Sequence, residues 1–140
     1  MAVLRTGFAV AMAALAASPA LACDCVTLIA GTPRFQSDLD RIVQYYPVAA
    51  EGVVETDGPY AWRFRPTREY RGPGAPSYRI ELGSDCSIAP DEMNSLAGKP
   101  VFLLLSGGPD RYEAGRCVNF LASDVTTAIR GRYVESCKAR

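Results

Sequence analysis

"VFLLL", residues 101–105, is the stretch on which the fold turns. Five consecutive apolar residues cannot alternate between a wet and a dry face, so a strand here is covered on both sides. The run has the length of a strand and is too short for an ordinary helix. It is closed at once by "SGGPD" (106–110), whose Gly and Pro residues mark a turn.

Reading outward from this strand gives the rest of the order. After the turn, Tyr112 to Leu121 reads as a last strand, bulged at Gly115. Ser123 then caps a terminal helix with Val125, Ala128 and Ile129 on one face. Upstream, Asp91 to Ala97 predicts a short helix ending at Gly98, and Tyr78, Ile80 and Leu82 alternate as a strand. "RGPGAP" (71–76) is a loop, because no strand ladder tolerates that run of Pro and Gly.

"YAWRFR" (60–65) alternates strictly, with Tyr60, Trp62 and Phe64 on one face and Arg63 and Arg65 on the other. This half-buried strand continues past Pro66 towards Tyr70, at a sheet edge or a bulge. Val48 to Thr56 is a first strand, closed by Asp57-Gly58-Pro59. Thr32-Pro33 reads as the N-cap and first turn of a helix carrying Phe35, Leu39, Ile42, Val43 and Tyr46 at helical spacing, and Pro47 stops it.

The order is helix, three strands, short helix, two strands, helix. It predicts a mainly β fold, a five-stranded Greek-key barrel of the OB type with flanking N- and C-terminal helices. A sandwich is compatible with the same propensities.

A chain of 140 residues is one domain by length. Residues 1–22 read as an export signal. Arg5 supplies the positive start, Phe8 to Ala17 the short apolar run, and Ala20-Leu21-Ala22 a small-x-small cleavage site. That run falls short of the roughly 20 residues needed to span a bilayer. The domain is expected over 23–140, secreted or periplasmic. All five cysteines (Cys23, Cys25, Cys86, Cys117 and Cys137) lie within it, and export makes a disulfide framework the expectation over a metal cluster. The formal net charge is zero, which gives nucleic acid or an acidic membrane surface no electrostatic purchase. The chain has no histidine, so Ser-His-Asp and Cys-His nucleophiles and His-ligated zinc centres are excluded. The expectation is a non-enzymatic binding module with no cofactor.

The Cys23-Asp24-Cys25 start after the signal, followed by "PRFQSD", "REYRG", "SDCS" and "RCVNFLASDVTTAIRGRYVESC", resembles the tissue inhibitors of metalloproteinases and the wider netrin-like domain family. The resemblance runs in the same order through most of residues 23–140. It implies an OB-type barrel stapled by bridges Cys23–Cys86 and Cys25–Cys117. It leaves Cys137 unpaired within the chain, as a free thiol or in a bridge between chains, because the family's partner for that cysteine falls near Gln36, where this chain has none. It implies that the free amine and carbonyl of Cys23 chelate the catalytic zinc of a partner metalloproteinase, with Asp24, Cys25, Val26, Thr27, Ser84 and Asp85 as protease-contacting residues. Asp24 departs from the pattern: it would enter a specificity pocket that is usually apolar, where an unpaired carboxylate costs several kcal/mol. Thr27 stands where the family has proline.

Two further readings attach to the same residues. A non-inhibitory envelope interaction or structural module needs only the disulfide anchor. Lipid attachment at Cys23 would acylate the amine and abolish chelation, but Ala20 holds the place where that signal wants Leu. The Trp62–Arg68 strand also invites comparison with single-strand nucleic-acid binding on OB folds, against which stands a core-facing role for its aromatics.

Overall fold

Leu103 and Leu105 point into a closed barrel and Leu104 points out of it, so the 101–105 run is covered on both faces. The computed structural model describes Cys25, residues 28–83 and residues 86–138. The elements are α1 (Phe35–Tyr45), β1 (Val48–Thr56), β2 (Ala61–Arg71), β3 (Tyr78–Glu81), α2 (Pro90–Leu96), β4 (Pro100–Gly107), β5 (Tyr112–Ala114), α3 (Arg116–Asn119) and α4 (Ser123–Lys138). The strands close in the order β1-β2-β3-β5-β4, and β4 returns to β1. Every pairing is antiparallel except β3 with β5.

Closure requires strong curvature, and β2 supplies it. The β1–β2 register slips between Ala49 and Ala50 and again between Glu51 and Gly52, each time skipping one residue of β2 (Tyr70, then Thr67). Such bulges bend a strand and raise its twist. They occur in the stretch beyond Pro66 where the sequence suggests one. Gly52 faces Pro66 at the second slip. A Cβ there would stand 2.2 Å from the Arg65 carbonyl oxygen, so the close approach needs glycine.

The interior is filled from all five strands and from α2. Trp62, Phe64, Tyr78, Ile80, Leu103 and Leu105 are buried there with Ile88 and Met93. Two of these buried side chains carry a polar handle that needs a partner: Trp62 Nε1 donates to Asn94 Oδ1 on α2 at 2.9 Å, and the Tyr78 hydroxyl donates to Glu69 Oε2 at 2.5 Å. Helix α2 begins with Pro at its first position. Beyond its end, Gly98 has φ +76° and donates its N–H to the Val54 carbonyl at 3.0 Å, locking the helix against β1.

A second cluster lies outside the barrel. Phe35 and Leu39 of α1 and Val125, Ile129 and Tyr133 of α4 cover Ala49 and Leu104. The two helices also meet through polar groups: the Arg132 guanidinium donates to Gln36 Oε1, and the Tyr133 hydroxyl donates to the Ile42 carbonyl at 3.4 Å.

Three sequence expectations need correction. Tyr60 does not share the Trp62–Phe64 face. It is 69% exposed, because the Asp57 N–H donates to the Ala61 carbonyl at 2.9 Å and leaves residue 60 inside the turn. The first helix starts at Phe35 rather than at Pro33, since Thr32 spends its hydroxyl on the Ile29 carbonyl and its own carbonyl on the Phe35 N–H in a preceding turn. The last strand stops at Ala114 instead of Leu121. Gly115 bridges to Ser87, the Arg116 N–H donates to the Cys86 carbonyl at 2.8 Å, and the chain turns into α3. The Leu104 backbone, left without a strand neighbour there, is met by a side chain: Asn119 accepts from its N–H at 2.8 Å and donates to its carbonyl at 3.0 Å. One amide replaces a rung of the ladder.

Candidate functional site

Cys25 and Cys117 are joined by a disulfide, with their Cα atoms 5.1 Å apart and their positions separated by 92 in sequence. The bridge ties the chain ahead of α1 to α3, beside the end of β5. Cys86 is also disulfide-bonded, and its carbonyl already holds α3 through Arg116. The bridged cysteines therefore gather at one place on the barrel, where the β3–α2 link, β5–α3 and the segment before α1 converge. Of the residues expected to contact a protease, Cys25 is exposed here. Cys23, Asp24, Val26, Thr27, Ser84 and Asp85 lie outside the described residues, and so does the N-terminal end of the expected Cys23–Cys86 bridge. The export signal of residues 1–22 lies outside them too.

The floor beneath this region is polar and ordered. Ser87 is buried and its hydroxyl donates to the Glu113 carboxylate. Tyr45 and Tyr46 stand beside it at the end of α1, ring edge to ring face with centroids 4.9 Å apart. Burial, and then the neighbouring Tyr45, raise the Tyr46 phenol above its ordinary value, so it stays protonated at any physiological pH. A groove of about 640 Å³ runs from Leu28 along α1 to Cys117 and Val118.

Cys137 is a free, exposed thiol on α4, pointing at the Tyr70 carbonyl at 3.3 Å. The expected missing partner position, Gln36, is not beside it. Gln36 instead takes Arg132, which precedes Cys137 by five residues, about 7 Å along the helix axis. Cys137 shares a cleft of about 510 Å³ with Asp40, Val43 and Gln44, one to two turns further along α1.

The arginine-aromatic strand is resolved by its neighbours. Trp62 and Phe64 are fully buried, so neither ring offers a face to a base. Arg63 pairs with Asp57 at 3.1 Å and Arg65 with Glu55 at 2.8 Å, in exposed contacts of little energetic weight. Among the described residues no group of three or more His, Cys, Asp or Glu side chains is placed to hold a metal ion, and no helix is long and apolar enough to cross a membrane.

Sequence reading passed over the residues that frame the site. Tyr45 and Tyr46 were legible only as the end of a helix before Pro47, and Asn119 only as a polar residue in a supposed strand. The doubled tyrosine was a usable signal: one ring of such a pair on an amphipathic helix has to leave the buried face. Compared with protein-family models, with curated proteins and with solved structures, the chain matches none.

Proposed function

We propose that this chain is an exported, non-enzymatic binding domain built on a Greek-key OB-type barrel, whose N-terminal ribbon is its working edge. The strand order β1-β2-β3-β5-β4 with a single parallel contact between β3 and β5 supports the OB assignment. The Cys25–Cys117 bridge carries the functional reading, because it fixes the ribbon two residues after Cys23 against the barrel edge where Cys86 is also cross-linked. A disulfide framework of this kind suits a secreted or periplasmic protein.

The activity this arrangement supports best is inhibition of a zinc metalloproteinase. The free amine and carbonyl of Cys23 take the open zinc position that a catalytic site normally fills with water. Holding the ribbon rigid removes ordering cost from that contact. The amine must bind neutral, which its ordinary pKa of about 7.7–8 makes inexpensive near neutral pH. Asp24 then selects a partner whose specificity pocket offers a cation.

The test compares three proteins against a panel of zinc metalloproteinases: the exported form, a form with one extra residue before Cys23, and Asp24→Thr. Inhibition by the first and not by the second is expected, since the extension turns the chelating amine into an amide. Asp24→Thr should strengthen inhibition of enzymes with apolar pockets. Equal inhibition with and without the extension would remove the amine from the mechanism. No inhibition by any of the three, with both bridges intact, would leave the domain as an envelope interaction module. A mass excess of a diacylglyceryl group on Cys23 would make it a membrane-anchored one.

A further inference from the structure

Two arginines, Arg34 just before α1 and Arg41 within it, stand apart from every other arginine among the described residues. The rest each have a carboxylate, an aromatic ring or a backbone carbonyl: Arg130 pairs with Glu51 at 3.0 Å, Arg68 lies 5.1 Å over the Tyr70 ring, and Arg71 donates to the Val43 carbonyl. Arg34 and Arg41 are exposed and, among the described residues, have none of these. They line the same groove, two helical turns apart, with half-buried Asp38 between them. The rim therefore carries two cations and one anion, a net +1, in a chain whose total is zero.

The floor of that groove is apolar. Leu28, Ile42, Tyr46 and Val118 line it, and Tyr45 stands at its end 71% exposed, held edge-on by Tyr46. A rigid exposed tyrosine beside a concave apolar floor has the composition of an interface anchor. Covering this floor would bring the arginine heads out of water, and that is tolerable only if the cover brings carboxylates to them. A purely apolar cover would strand the charges, and a purely acidic one would leave the floor wet.

We propose that this groove is a second binding site, which takes a segment of a partner protein presenting an apolar or aromatic side chain flanked by carboxylates. The apolar group seats against Ile42, Tyr45 and Val118, and the carboxylates pair with Arg34 and Arg41. The site uses no metal and no N-terminal amine, so it stands whether or not the ribbon inhibits a protease. Because Cys117 lines the groove and is bonded to Cys25, a partner seated here would lie alongside the ribbon.

The experiment uses the exported, disulfide-bonded protein and three fluorescein-labelled decapeptides read by anisotropy: Leu-Phe flanked by glutamates, Leu-Phe flanked by lysines, and Ser-Ser flanked by glutamates. Native protein should bind the first and neither of the others. Arg34→Glu/Arg41→Glu should weaken that binding by about tenfold or more and shift preference to the lysine peptide. Its thermal midpoint should stay near native, since both side chains are exposed and have no carboxylate or ring partner among the described residues, which separates lost binding from lost folding. An extra residue before Cys23 should leave peptide binding unchanged, so failure here and failure of the inhibitory reading are distinct results. No binding of the acidic–apolar peptide, equal binding of all three, or an unchanged charge-reversed variant would overturn the proposal. So would concentration-dependent self-association that the double variant abolishes, which would assign the groove to a second copy of the chain.

Discussion

The inside of the barrel and the layer outside it are held together by different means, although two strands, β1 and β4, serve both. Inside, bulky side chains from five strands interlock around Trp62, and the Trp62–Asn94 and Tyr78–Glu69 bonds fasten their polar ends. Outside, Phe35, Leu39, Val125, Ile129 and Tyr133 form a thinner cover whose geometry depends on polar clamps: Asn119 on Leu104, Arg132 on Gln36, and Arg71 on the Val43 carbonyl. The contrast teaches where function can be placed. A closed barrel leaves its interior no spare surface, so the Cys25–Cys117 bridge and the α1 groove both lie on its outside.

The largest expected effect breaks the outer layer's covalent tie. Cys25→Ser/Cys117→Ser should lose up to roughly 4–5 kcal/mol in the chain-entropy account, because the bridge closes a very long loop. Urea unfolding of the disulfide-bonded protein measures this, and a loss below about 1 kcal/mol would mean the segment around Cys25 is already held by contacts alone. The barrel amides should keep their hydrogen-exchange order while those near Leu28 and Val118 become faster.

Trp62→Ala attacks the other side of the comparison and should cost about 3–5 kcal/mol, by cavity formation and by leaving Asn94 without its donor. Trp62→Phe separates the two causes, because it keeps most of the volume and removes the N–H. Leu104→Ala, on the outer face of β4, should cost less than Trp62→Ala, since the helical cover can settle inward more easily than a closed barrel. Equal losses at the two positions would show that the outer layer is as tightly determined as the core.

Alkaline pH probes both regions through their tyrosines. Burial pushes the Tyr133 phenol up to about 12, with Arg71 opposing it, and burial with the Glu69 carboxylate pushes Tyr78 still higher. Unfolded tyrosine ionises near 10. The unfolded state therefore sheds protons first, and the stability held below pH 10 is lost as pH rises through the folded values. Between pH 10 and 12 the Tyr133 share should be on the order of 2–3 kcal/mol. Tyr133→Phe should flatten that part of the stability–pH curve, and an unchanged slope would mean that the inner Tyr78 dominates.

How much of this could be read from the chain follows from the same division. The β1 limits, the Trp62–Phe64 face, the two-sided burial of 101–105 and the flanking helices were all visible, because periodicity reports which face of an element is dry. The sandwich alternative was open because periodicity is silent on closure; closure rests on the slips at Tyr70 and Thr67 and on Gly52, which are tertiary facts. The overlong last strand had an equally specific cause. Val118 and Leu121 keep up an apolar pattern that serves the outer layer, while the bonds from Gly115 and Arg116 to the β3–α2 link end the pairing. The role proposed for the ribbon rests on a resemblance alone, and the α1 groove was not legible at all, since Arg34, Arg41 and Tyr45 come to line one groove only once α1 has formed.

Asn119 offers the finest cut between the two layers. Its amide makes three bonds, two to Leu104 and one to the Gly115 carbonyl at 2.9 Å. Asn119→Ala should cost about 1–3 kcal/mol, the ordinary penalty for leaving part-buried backbone groups unsatisfied. The position of the damage matters more than its size. Exchange at the Leu104 amide should accelerate at once, while the amides of Leu103 and Leu105 follow only the global loss. Asn119→Asp sharpens the result, because a carboxylate can still accept from the Leu104 N–H but can no longer donate to the carbonyls of Leu104 and Gly115, and its charge faces both oxygens. It should therefore be worse than alanine at neutral pH and recover part of the difference once acid protonates it. If alanine and aspartate behaved alike, and Leu104 exchanged no faster than its neighbours, the amide would be a bystander and β4 would hold its outer rung through packing alone.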